Sequence, residues 1–126
     1  DLNTMAAPNI VNVTSIYGKT RGQDLTTTTN AGILTCASNK VLKVNSIIVA
    51  NIDGTNTADA TISFFDNDQS GTFLLASTVS VPADSTLVVI GKDSPIYLEE
   101  SDEIRGGAGA DGDLEVIISY EELDDA

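Results

Sequence analysis

Lys40-Val41-Leu42-Lys43-Val44-Asn45-Ser46-Ile47-Ile48-Val49-Ala50-Asn51-Ile52 is the longest run of strand-forming residues in the chain, and it decides the fold class. Three of its positions are Val and three are Ile, and no proline interrupts it. β-Branched side chains suit a pleat better than a helix turn. Strict alternation divides the run into two sets. Val41, Lys43, Asn45, Ile47, Val49 and Asn51 oppose Leu42, Val44, Ser46, Ile48, Ala50 and Ile52. The second set is the more apolar, so it is expected to face a core.

The same grammar continues on both sides. Upstream, Ile10 to Tyr17 reads as a strand ending at Gly18, and Lys19 to Gln23 as a basic exposed segment. Thr26 to Thr29 reads as an edge strand that turns at Asn30-Ala31-Gly32 and resumes as Ile33 to Cys36. Downstream, Asp53-Gly54 offers a turn into Ala58 to Phe65, and the two runs read as an antiparallel hairpin. Thr72 to Val81, a Pro82-initiated turn, Thr86 to Ile90, Ile96 to Leu98 and Asp113 to Tyr120 follow. About eight short strands and no helical period define an all-β domain, a β-sandwich of jelly-roll type, with a closed barrel as the second choice. The expected core is Val44, Ile48, Ile62, Phe64, Leu87, Val89, Val116 and Ile118.

A chain of 126 residues fits one domain. Residues 1–8 are expected to form a flexible N-terminal segment, with 9–126 as a single β-sandwich domain. Met5-Ala6-Ala7-Pro8 reads as a translation start, which sets Asp1 to Thr4 apart as a processing scar. No apolar stretch approaches the ~20 residues of a membrane span, so no membrane partner is expected.

Charge is distributed unevenly along the sequence. Residues 1–43 carry Asp1 and Asp24 against Lys19, Arg21, Lys40 and Lys43, whereas residues 44–126 carry seventeen acids against Lys92 and Arg105. The net charge of −13 excludes a nucleic-acid role, because phosphate neutralisation needs a basic face. Lys19, Arg21, Lys40 and Lys43 are the candidate docking residues, meeting an acidic partner together with the apolar strand edge of Ile10 to Tyr17.

Catalytic chemistry finds little material. Histidine is absent, so a serine nucleophile would lack its usual base. Cys36 is the single cysteine and reads as a small half-buried strand residue. Glu99, Glu100, Asp102 and Glu103, and again Glu121, Glu122, Asp124 and Asp125, read as solvated charge. Paired acids could hydrolyse glycosides, but sugar platforms draw on aromatic rings, and the chain has no Trp, three Tyr and three Phe. No enzyme activity is expected. Gly106-Gly107-Ala108-Gly109-Ala110-Asp111-Gly112-Asp113 lacks the lysine and hydroxyl of a phosphate loop and reads as a flexible connection. Asp66-Asn67-Asp68-Gln69-Ser70-Gly71 matches the first half of a calcium loop, with Ser77 where the closing glutamate would stand. Asp66, Asp68 and Ser70 are therefore the candidate calcium ligands, and no other cofactor is expected.

Four phrases stand in order along the chain: residues 48–56 (IVANIDGTN), 79–87 (VSVPADSTL), 96–104 (IYLEESDEI) and 113–122 (DLEVIISYEE). Together they resemble a family of small virion structural proteins of tailed phages, frequent in cyanophages and other marine phages, over most of residues 8–123. Such families commonly place glycine where this chain has Ser101. The resemblance implies a non-enzymatic, multi-copy β-protein located in the virion, most simply a decoration or cement protein bound to the major capsid protein on the outside of the head. A neck or tail accessory protein is the alternative within the particle, and a jelly roll binding host-surface carbohydrate the alternative outside that class. Self-association as a homo-oligomer, a trimer, is expected.

Overall fold

The computed structural model describes residues 8–124. The expectations placed on residues 1–7, namely the flexible segment and the processing scar, lie outside the described residues, as does Asp125. Nine strands run in chain order: β1 (Ser15–Asp24), β2 (Ala31–Thr35), β3 (Lys40–Asn51), β4 (Ala58–Asp66), β5 (Gly71–Val81), β6 (Thr86–Ile90), β7 (Ile96–Leu98), β8 (Glu103–Ala108) and β9 (Leu114–Asp124). Among the described residues there is no helix.

The first sheet has the order β1-β9-β3-β6, with β7 also paired to β3, and the second has the order β2-β8-β4-β5. Every ladder is antiparallel. First strand pairs with last, second with last but one, and so inward to the β4–β5 hairpin, with β6 and β7 sharing one edge of β3. This nested antiparallel pairing of nine strands in two sheets makes the described residues an all-β sandwich. The expected hairpin between the Lys40 run and the Ala58 run does not form, since β3 and β4 belong to different sheets. Asn51, buried at the corner where the chain changes sheets, explains the departure. Its Nδ2 donates to the carbonyls of Asn56 and Val81, and its Oδ1 accepts from the Asp53 amide. A fully satisfied buried amide fixes a sharp corner rather than a two-stranded turn.

The core lies between the sheets, and the expected inward set of β3 is half right. Leu42 and Val44 face the core as expected, but beyond them Ile47 and Val49 are buried and Ile48 is only half-buried. The register with β9 shifts between Val44 and Ser46, so Asn45 is an extra residue and the inward parity changes. Ile47, Val49 and Asn51 then align with Ile118, Val116 and Leu114, all buried. Phe64, Leu87 and Val89 are half-buried against this core, and Ile62, Val116 and Ile118 are inside it. Ile47→Ala should therefore cost about 2 to 5 kcal/mol of stability, as buried isoleucines do, while Ile48→Ala should cost clearly less. Equilibrium denaturation of the pair checks the parity change, and equal losses would contradict it.

Three other stretches differ from expectation. Ile10 to Val13 is outside any strand, so β1 starts later than expected and takes in Lys19 to Gln23, a segment exposed as expected from Lys19 to Gly22 and paired without a break to β9. Thr26 to Thr29 is a loop rather than an edge strand. The glycine run was expected to be flexible, yet Gly106 and Gly107 belong to β8 and are buried. A Cβ at Gly107 would lie 2.3 Å from the Thr28 carbonyl oxygen, and one at Gly106 would lie 2.5 Å from that of Thr61. Only glycine allows those backbones to approach so closely.

Candidate docking interface

Strand β9 lies between β1 and β3, and that placement decides what the basic residues do. Lys19 on β1 reaches Glu122 on β9, Nζ to Oε1 2.9 Å, and the hydrogen bond raises the lysine above its ordinary pKa. Lys40 at the start of β3 reaches Asp124, Nζ to Oδ2 2.5 Å, and is raised for the same reason. Arg21 bends toward the second sheet, where its Nε donates to the Ile33 carbonyl and its terminal nitrogen to Gln23 Oε1. Lys43 stands opposite Glu121 across the β3–β9 ladder. Lys19, Lys40 and Lys43 thus gather at one end of the first sheet, beside the acids that sequence reading placed in a separate repelling body, whereas Arg21, level with Ile118, stands apart from them. The polarity of the sequence is not a polarity of the surface.

The candidate calcium loop is closed upon itself. Asp66 Oδ1 accepts from the Asp68 amide and Asp66 Oδ2 from Gln69 Nε2, while the Ser70 amide donates to the Asn67 carbonyl. These are turn-forming bonds that aim the Asp66 oxygens inward. Among the described residues no group of three or more acids, cysteines or histidines is arranged to hold a metal ion.

Sequence reading missed Asp102, which it grouped with solvated charge. Asp102 is 2% exposed, and its two carboxylate oxygens accept from the backbone amides of Asn67 and Glu99. It ties the β4–β5 turn to the β7–β8 turn. The Cys36 amide donates to the Asp102 carbonyl, and the Ser101 amide to the Cys36 carbonyl. Ser101 itself has φ 69°, the left-handed conformation that favours glycine, at the position where the resembled family has one. A signal was present in the sequence: Asp102 sits beside a turn, where short acids cap amides.

Two carboxyls depart upward from their ordinary pKa. Burial first, then the charges of Asp68, Asp102 and Asp66, raise Glu99. Burial, then Asp53, raises Asp113, while Asp53 is lowered by amide bonds from Thr55 and Asn56. A carboxyl raised on folding contributes stability that is lost as pH rises through its folded value and is complete below its unfolded value of about 4. Acidification from pH 7 toward about 4.5 should therefore raise the melting temperature, with loss setting in below about pH 4 as Asp53 is protonated. A melting temperature that falls steadily from pH 7 to 4.5 would contradict the assignment.

Cys36 offers no reactivity. It is 2% exposed, and burial pushes its thiol up to about 12.

No family model matches the chain, and no curated protein matches it. Among solved structures it is similar to the Drosophila NLP core, described for its pentamer formation and histone binding, at 13% identity and TM-score 0.48, over 87% of this chain and 99% of that one. It is also similar to a pentameric capsid protein isolated from metagenomic phage sequences, at 17% identity and TM-score 0.36, over 96% of this chain and 67% of that one. A second structure of such a protein gives 17% identity and TM-score 0.37, and this chain spans 63% of its length.

Proposed function

We propose that this chain is a structural component of a tailed-phage virion, a multi-copy decoration protein held on the outside of the head. The observation that supports it best is the order of the four phrases that resemble phage virion proteins, carried by one nested β-sandwich. Phrase 48–56 makes the Asn51 corner, 79–87 the Pro82 turn, 96–104 the Asp102 bridge and 113–122 most of β9. These are framework positions, as a protein whose task is to hold shape requires.

The head contact falls to the end of the first sheet where Lys19, Lys40 and Lys43 stand, and there they can exchange their acidic neighbours for those of the shell. Exposed ion pairs contribute about 0 to 1 kcal/mol each, so the contact gains strength from many copies rather than from one site. Purified protein added to heads lacking it should bind saturably in many copies, and Lys19→Glu combined with Lys43→Glu should weaken that binding about tenfold. Binding to purified tails in place of heads would move the protein to the neck or tail. Binding to neither would remove the virion reading.

A further inference from the structure

One lateral side of the sandwich carries no formal charge along its strands. β5 and β6 are the edge strands of the two sheets and meet on that side. Their residues, Gly71–Val81 and Thr86–Ile90, include no Asp, Glu, Lys or Arg, in a chain where 20% of residues are charged. Exposed there are Phe73 (49%), Leu74 (59%), Leu75 (37%) and Val88 (61%). Free edge strands are ordinarily guarded by lysine or proline. β5 has neither. Two register shifts against β4 put extra residues into β5, which spoils its edge for a continuous ladder and leaves its side chains as the means of contact.

The opposite lateral side is apolar as well. β1 and β2 are the edge strands there, joined by the Arg21 bond to Ile33. Ile16 (60%) and Tyr17 (49%) are exposed on β1, and Ile10 (47%) and Val11 (84%) on the segment leading into it. The bases of this side are engaged within the chain, Lys19 by Glu122 and Arg21 by a carbonyl.

We propose that these two sides are the two halves of one interface, so that copies of this chain join head to tail, the β5–β6 side of one copy against the β1 side of the next, into a closed ring of three or more. Charge selects the occupant. Copies that each carry −13 approach most closely where the facing strands bear no like charge, and β5 and β6 bear none along their length, the exposed Asp84 lying in the turn that joins them. Geometry selects the mode. A two-fold contact through either side would leave the other apolar patch in water, whereas a head-to-tail ring covers both on every copy. The proposal deepens the self-association expected of a decoration protein, and it assigns the Ile10 to Tyr17 stretch to the neighbouring copy rather than to the head.

The test uses complementation. In about 1 M salt, where the screening length is ~3 Å, the full chain should sediment as a ring of at least three copies. Leu74→Glu and Ile16→Glu each break one half of the interface and should each sediment as a monomer. Mixed in equal amounts they should form a 1:1 dimer and grow no further, because each supplies the half that the other has lost. Circular dichroism verifies that the variants are folded, and Leu74→Ser and Ile16→Ser replace any that are not. A monomeric full chain, a two-fold dimer, variants that keep the parent mass, or a mixture that remains monomeric would each overturn the proposal. A ring that forms but does not bind heads would leave this inference standing and remove the virion reading, and a monomer that binds heads would do the reverse.

Discussion

Gly107→Val should leave the chain unfolded under conditions where the parent is stable. A Cβ at this position would lie 2.3 Å from the Thr28 carbonyl oxygen and 2.6 Å from the Thr29 Cα. Ordinary overpacking costs about 1 to 3 kcal/mol because side chains rotate away. Here the obstacle is backbone. The Thr26 carbonyl is held by the Ala108 amide, so the loop cannot withdraw without breaking the bond that seats it on β8. The cost should then approach the whole stability of a small domain, about 5 to 15 kcal/mol. Gly91→Ala is the control, since its Cβ would meet only Val88 at an ordinary 3.8 Å. Circular dichroism of the two variants decides the point. A Gly107→Val protein that melts with the parent would show that Thr28 does not sit where described.

Asp102→Ala should cost about 3 to 5 kcal/mol. Two part-buried hydrogen bonds, donated by the amides of the exposed residues Asn67 and Glu99 to the buried carboxylate, are lost at once, and each unsatisfied donor costs about 1 to 3 kcal/mol. Asp102→Asn should fall between parent and alanine, because its carboxamide keeps one acceptor and turns a donor toward the other amide. Chemical denaturation reads the total. Hydrogen exchange locates it, with the Asn67 and Glu99 amides losing protection first. An alanine variant within about 0.5 kcal/mol of the parent would return Asp102 to the class of solvated charge.

Strand existence was legible in the sequence because β-branched runs and turn residues are local signals. Pairing was not. The turn Asp53-Gly54 invites a hairpin, and only the buried Asn51 amide, satisfied by groups as far away as Val81, makes it a corner between sheets. Parity in β3 was legible up to Val44 and then reversed, because one unpaired residue, Asn45, leaves no trace in composition. β8 was missed altogether, since glycines required for close approach read as flexibility when their neighbours are unknown.

The docking residues show the same limit. Sequence reading separates the bases of residues 1–43 from the acids beyond, but the wrap brings the first strand beside the last. Lys19 therefore meets Glu122, 103 positions away. The uncharged β5 and β6 were visible from the start as strands without Asp, Glu, Lys or Arg. Their meaning required knowing that they share one side of the sandwich.

The copy number of this chain in purified virions tests the central claim most directly. Quantitative mass spectrometry against the major capsid protein should find it in hundreds of copies per particle, in fixed ratio to the head lattice. Its absence from purified particles would contradict the account.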